Sequence, residues 1–335
     1  MNFQKMLKTE VAITLVKETL KTQLISQLNL IPVSSPIAVL DGTGINDDLN
    51  GTERPVSFPI KALGEKKAVV VHSLAKWKRL RLKQLEVDLN YGILTDMKAL
   101  RPDEDYTHIH SIYVDQWDWE KRIEPSQRNL EYLKDTVSKI YEALKFTEKF
   151  VEAHYPDIKA ILPEHIKFIS SQHLLDLYPD KTPKERENAI AKKYGAVFLY
   201  GIGGKLSNGE PHDGRAPDYD DWSTLNSEGT YGLNGDILVW HPLLQCAFEL
   251  SSMGVRVDKT ALMKQLELRN SVDRKELAFH KMLLNGELPE SIGGGIGQSR
   301  VCMFMLKKSH IGQVQVSIWA DEEIEKLAAQ GVELL

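Results

Sequence analysis

Cysteine is scarce in this chain: two in 335 residues, Cys246 and Cys302. There is no C-x-x-C pair and no clustered Cys/His spacing, which argues against a zinc-ribbon or dithiol-redox protein. Both thiols sit in apolar runs, "LLQCAFEL" and "SRVCMFML". Buried free thiols and a reducing, cytoplasmic setting are therefore expected. No stretch approaches the ~20 apolar residues of a membrane span, and no signal-peptide core opens the chain. Excess positive charge is missing too. The net charge is −5, so no broad attraction to nucleic acid is expected. Repeats, low-complexity tracts and Pro/Ser linkers are absent, which leaves one α+β domain over 1–335 as the simplest organisation.

Two common nucleotide fingerprints are also missing. A dinucleotide fold needs G-x-G-x-x-G, but counting from Gly293 the sixth position is Gln298. A P-loop needs Ser or Thr after its Gly-Lys pair, and Leu206 follows Gly204-Lys205. What remains is "SIGGGIGQSRVCMFML" (Ser291 to Leu306), read as a glycine turn feeding an apolar helix near Gly297, with Arg300 in its first turn. Glycine lets a backbone pass close to a ligand, and a helix start favours anions. A tight strand-to-helix corner with a surface arginine fits the same residues.

Regular patterns fill the rest. A 42% hydrophobic content supports a sizeable core. Ala12, Val16, Leu20, Leu24 and Leu28 recur every four residues and predict an amphipathic helix over about 9–30. An extended edge strand is expected over Leu30–Leu40, and "AVVVHS" reads as a buried strand turning into a helix. The run "KWKRLRLK" (Lys76 to Lys83) reads as a solvated helix face. "SIYVDQWDWE" alternates, placing Gln116, Asp118 and Glu120 opposite Trp117 and Trp119; such a polar face suits a cavity wall. A long helix is expected from Ser126 as N-cap through Leu130, Leu133, Val137, Ile140, Leu144, Thr147 and Val151. Another starts at Thr182-Pro183 and ends at Gly195. The Gly/Asp/Ser/Pro-rich stretch 203–232 is too long for a plain connection and reads as functional or mobile. Strands are expected at 236–240, near 247–257 and at Gln313–Ala320.

Three separated segments resemble the signature motifs of class II aminoacyl-tRNA synthetases. They are the first helix and strand ending in Pro36, "LRPDEDYTHIHSIYVDQWDWE", and the glycine stretch with Arg300. "FELSSMGVRVD" resembles the acidic strand that binds Mg²⁺ and substrate. More closely, "HSLAKWKR", "MKALRPDED", "VDQWDWE", "RAPDYDDWST", "FELSSMG" and "IGGGIGQSR" resemble the ammonia-dependent asparagine synthetases (aspartate–ammonia ligases) over about residues 5–335.

That resemblance implies a class II synthetase-like catalytic core, a mostly antiparallel sheet flanked by helices. It implies L-asparagine formation from L-aspartate, ammonia and ATP through a β-aspartyl adenylate, with Mg²⁺, AMP and pyrophosphate. Among its implied roles, Arg101 contacts the α-phosphate and reacting carboxylate, while Arg300 covers adenine and meets the polyphosphate. Asp47 and Gln116 assist at the reacting centre, and Ser73, Lys78, Asp118 and Ser252 hold aspartate. Ile109, Ser111, Arg215, Asp220, Arg256 and Gly295 complete the ATP side, and Asp236 and Glu249 bind Mg²⁺. A homodimer is implied through the first helix and strand.

The residues themselves add two exclusions. The motifs consume the chain, leaving no expected anticodon-binding module. Neither cysteine has a nearby His, and Asn2 rather than Cys follows Met1, so free ammonia rather than glutamine is the expected donor. A ligase adenylating another amino acid, and a non-catalytic regulatory paralogue, remain the alternatives.

Overall fold

The computed structural model describes residues 3–47, 49 and 53–335; Asn2 and parts of "NDDLNGTE" lie outside them. In chain order the elements are α1 (Phe3–Leu28), β1 (Leu30–Pro32), β2 (Ala38–Leu40), β3 (Ser57–Ile60), β4 (Lys66–Val70), α2 (Ala75–Gln84), β5 (Gly92–Leu100) and β6 (Tyr113–Arg122). There follow α3 (Leu130–His154), β7 (Lys167–Ser170), α4 (Ser171–Leu177), α5 (Pro183–Tyr194), β8 (Ala196–Tyr200), β9 (Asn234–His241) and β10 (Cys246–Val255). The last are α6 (Lys259–Leu268), α7 (Ala278–Leu284), β11 (Ser291–Gly297), α8 (Gln298–Met305) and α9 (Asp321–Ala329).

The main sheet runs β1-β5-β6-β11-β10-β9-β8-β7, antiparallel except at its two outer pairs. A smaller antiparallel sheet runs β2-β4-β3. One face of the main sheet carries the core. Trp117 and Trp119 of β6 bury there against the periodic residues of α1 and α3 and the apolar side of α8. The predicted stripes of α1 and α3 are buried at every position named. Stripes of this kind give a helix one low-energy docking face, so they fix its rotation against the sheet.

Six expectations need correction. The glycine stretch is not a corner but a central strand: β11 pairs with β6 on one side and β10 on the other. The basic run is not a solvated face, because Lys76, Lys78 and Arg79 of α2 are each at most 3% exposed. Asn129, not Ser126, caps α3, its side chain accepting from the Tyr132 N–H at 2.8 Å. Gln313–Ala320 forms no strand; a short 3₁₀ turn at Ile311–Gln313 leads into irregular chain. Residues 30–40 split into β1 and β2, which join different sheets. Of the two thiols, Cys302 is buried and Cys246 only half-buried.

Candidate active site

The opposite face of the sheet carries a cavity of about 640 Å³. Alternation along β6 puts Gln116 and Asp118 on this face and the tryptophans on the other. β11 runs beside them, Gly295 opposite Asp118 and Gly297 opposite Gln116. A side chain at Gly295 would overlap Gln116 Oε1 and stand 2.7 Å from Asp118 Oδ1. The glycines are thus a bare floor that leaves room for the polar groups of β6.

Arg101 leaves the end of β5, where its backbone N–H donates to Ile112 O at 2.8 Å. Its Nη2 donates to His72 O at 3.2 Å, and Glu104 stands 4.0 Å away. Asp103 is engaged elsewhere, by Arg54. The Arg101 guanidinium therefore faces the cavity loosely held. Asp47, 3% exposed, accepts from Ser73 Oγ at 2.9 Å and from Leu49 N–H at 3.0 Å.

Lys78 enters from α2, donates to Gly294 O at 2.8 Å and stands 3.5 Å from Asp118. Burial pushes Lys78 down and Asp118 up, each toward its neutral form, and their mutual attraction opposes both shifts. Asp118 Oδ2 makes no hydrogen bond among the described residues. Its one close charged neighbour among the described residues is the Lys78 ammonium, at 3.5 Å.

Arg256 is held by three hydrogen bonds to Glu120, of 2.8, 3.0 and 3.1 Å, and by Asp220. Glu120 also accepts from Ser291 Oγ at 2.7 Å. Burial raises Asp220, with Arg256 opposing. Tyr219 stands under the Arg256 guanidinium at 5.9 Å, its phenol pushed up by burial. Asp220 and Tyr219 belong to the long 203–232 stretch, which folds over the cavity. Lys76 of α2, Arg274 and His280 all converge on the neighbouring Asp218, at 3.0, 3.2 and 3.0 Å, and pin that stretch in place.

At the far end, Arg300 Nη1 donates to Glu249 O at 3.2 Å and lies 3.7 Å from the Glu249 carboxylate. Its Nη2 lies 2.8 Å from His110 Nε2. Burial and the charges of Arg300 and Arg101 press His110 down to about 4. Ser111 donates to Gln315 Oε1 at 2.7 Å, so its hydroxyl is already occupied by protein. Arg215 bonds Asp236 through Nη2 and Gly214 O, at 2.8 Å, through Nη1.

All the residues named from the sequence line this cavity except Asp236. Asp236 sits one layer back, behind Arg215, with Oδ1 making no hydrogen bond among the described residues. Burial, reinforced by Glu249, pushes it up to about 7 against the pull of Arg215. Ile109 and Ser252 are on the wall, Ser252 paired with Asp236 across β10 and β9. Sequence reasoning missed the contact roles of His110, Glu120 and Tyr219. Glu120 was legible as a polar position of β6, but its partner Arg256 lies 136 residues away.

Comparison with known proteins places the chain in a family. The aspartate-ammonia ligase family matches residues 7–331. A protein of Parabacteroides distasonis named aspartate–ammonia ligase is 56% identical over 328 residues, 98% of this chain and 95% of its own. One of Fusobacterium nucleatum with the same name is 54% identical over 329 residues, 98% and 97% of the two chains. Among solved structures, asparaginyl-tRNA synthetase of Entamoeba histolytica with asparaginyl-adenylate superposes with a TM-score of 0.67 at 12% identity. That match covers 93% of this chain and 66% of the synthetase. The Pyrococcus horikoshii enzyme, also with asparaginyl-adenylate, gives 0.66 at 16% identity, over 92% and 68% of the two chains. The synthetase likenesses establish a class II synthetase-like α+β fold. With the family match and the near-full-length relatives, the conclusion is that this chain belongs to the aspartate-ammonia ligase family.

Proposed function

We propose that the chain makes L-asparagine from L-aspartate, ammonia and ATP, releasing AMP and pyrophosphate. In the first step a β-carboxylate oxygen of aspartate attacks the α-phosphorus, and the bond to pyrophosphate breaks. In the second, ammonia attacks the acyl carbon of the mixed anhydride, the acyl–phosphate bond breaks, and the nitrogen sheds its extra proton. A carboxylate is a poor electrophile, and adenylation supplies the leaving group it lacks.

The observation that carries this reading is one cavity lined together by Arg101, Arg300, Lys78, Gln116, Asp118 and Asp47, with Gly294 and Gly295 in its wall. Arg101 stabilises charge at the α-phosphate and reacting carboxylate. Arg300 lies against adenine and meets the polyphosphate. Lys78, Ser73, Gln116 and Ser252 hold aspartate, and Asp47 meets its ammonium group or orients ammonia. Arg215, Asp220, Arg256, Ile109, Ser111 and Gly295 shape the nucleotide side.

Asp236 and Glu249 fit Mg²⁺, which takes few protein carboxylates and fills its shell with phosphate and water. The unbonded Asp236 Oδ1 and the part-exposed Glu249 carboxylate are hard oxygen donors of that kind. When bound there, the ion would neutralise phosphate charge. A homodimer through α1 and β1 accords with Leu7, Val11 and Ile31, which are 66%, 56% and 50% exposed.

The test is turnover of aspartate and ATP with ammonium or glutamine as donor, scored for asparagine, AMP and pyrophosphate, with and without a chelator. Turnover with glutamine alone, or ADP as product, would overturn the proposal. Pyrophosphate exchange strictly dependent on aspartate, across a panel of amino acids, would separate it from a ligase for another substrate.

A further inference from the structure

Arg300 occupies the first turn of α8, and that turn lacks a cap of its own. Gly297 stands at the cap position and has no side chain to offer. The cap comes instead from β6: Asp115 Oδ1 accepts from the Ser299 N–H at 3.0 Å and from the Ser299 hydroxyl. The other oxygen of Asp115 takes Lys17 Nζ of α1 at 3.0 Å. One turn further along α1, Lys21 Nζ lies 2.7 Å from Asp96 Oδ2 of β5, and Asp96 Oδ1 accepts from Gln298 Nε2 at 3.0 Å. Two lysines at i, i+4 thus share one face of α1 and hold two aspartates. Those aspartates hold residues 298 and 299, immediately before Arg300.

We propose that α1 sets the reach of Arg300, with Lys17 and Lys21 acting through Asp115 and Asp96 as positioning residues for that arginine. The proposal rests on the reading of Arg300 as the adenine-facing group. Asp115 is 5% exposed, and a buried carboxylate stripped of its cation must seek a new partner or a proton. Either change loosens its hold on the Ser299 N–H, and the first turn of α8 frays where Arg300 is rooted. Burial alone would lower Lys17, yet Asp115 more than compensates and holds it above the usual lysine range. The lysine is therefore a permanent cation at this position.

The experiment uses the full chain and compares Lys17→Met, Lys17→Arg, Arg300→Ala and the Lys17→Met/Arg300→Ala pair. Lys17→Met should raise the KM for ATP about tenfold while the KM for aspartate moves less than about twofold, as expected for a misplaced binding group. Lys17→Arg should restore most of the loss. In the Arg300→Ala background, Lys17→Met should add less than about twofold, because coupled residues are non-additive. Amide hydrogen exchange over 297–302 should quicken in Lys17→Met, independently of activity.

An unchanged KM for ATP in Lys17→Met, when Arg300→Ala raises it, overturns the proposal; so does full additivity of the pair. An unchanged KM for ATP in Arg300→Ala itself sinks the reading of Arg300, and the proposal with it, before any lysine variant is read. Should Lys17→Met not fold, Asp115→Asn, which keeps an acceptor oxygen but no charge, carries the same comparison. An unchanged KM for ATP in that variant is equally fatal.

Discussion

Arg300 Nη2 and His110 Nε2 stand 2.8 Å apart. A guanidinium has no acceptor, so the imidazole nitrogen must be the acceptor and cannot carry a proton. The proton then resides on Nδ1, which donates to Thr107 Oγ1 at 2.9 Å. His110 should therefore be a neutral Nδ1–H tautomer at neutral pH, titrating near 4 instead of 6.5. Nitrogen-15 shifts of the labelled imidazole will read both tautomer and titration. Between 6.5 and about 4 the unfolded chain binds the proton that folded His110 refuses, so this group makes stability fall as pH falls through that window. An imidazolium at pH 6, or an Nε2–H tautomer, would contradict the assignment.

Among the described residues the Arg101 guanidinium is held by one 3.2 Å hydrogen bond and a 4.0 Å ion pair, so little of the fold depends on that side chain. Arg101→Ala should lower kcat by about 10²–10³-fold, the usual range for a lost transition-state donor. Its melting temperature should stay within about 2 °C of the wild type, as for a substitution away from the core. Asparagine formation at the wild-type rate would remove Arg101 from the α-phosphate.

Gly295 and Gly297 offer a matched contrast. Gly295→Ala drives a methyl into Gln116 and Asp118 and should raise the KM for aspartate by at least about tenfold. At Gly297 the nearest atoms to an added Cβ are Cβ, Cγ and Cδ of Arg300, at an ordinary 3.4–3.6 Å. Gly297→Ala should shift the KM for aspartate by less than about threefold, since the added methyl enters no space that the β6 groups occupy. Equal effects of the two substitutions would show that the glycine floor is not what spaces the β6 groups.

Removing Arg256 strands two buried carboxylates, Glu120 at 0% and Asp220 at 2% exposure. Arg256→Met should cost about 3–5 kcal/mol in urea unfolding, the usual loss when one partner of a buried ion pair is deleted. A loss below about 1 kcal/mol would mean that the network relaxes by protonation or by admitting water.

The helices were legible because their signal is local. Val16, Leu20, Leu24 and Leu28 announce a docking face of α1 without reference to anything else. The buried cations of α2 were not, because their partners are remote: Asp218 lies 142 residues from Lys76, and Gly294 lies 216 from Lys78. No local pattern separates a solvated lysine from one destined for such a partner. β11 was misread for a related reason. "SIGGG" has no alternation to mark a strand, and only β6 and β10 on either side make it one. Conversely, Gln313–Ala320 alternates convincingly but finds no strand to pair with, leaving Val316 and Ile318 69% and 71% exposed. The cavity residues came from motif resemblance, which names positions but not their neighbours, so it assigned no contact role to His110 or Tyr219.

The place of β11 in the sheet order also bears on how the chain is made. Among the described residues, the half-sheets β1-β5-β6 and β10-β9-β8-β7 are joined in the sheet order only by residues 291–297 between them. During synthesis the inner edge of β6 is open from Arg122 onward, and that of β10 from Val255 onward, until residues 291–297 follow. Open edges of this kind template aggregation. The glycine-rich strand is therefore the keystone that closes both edges at once.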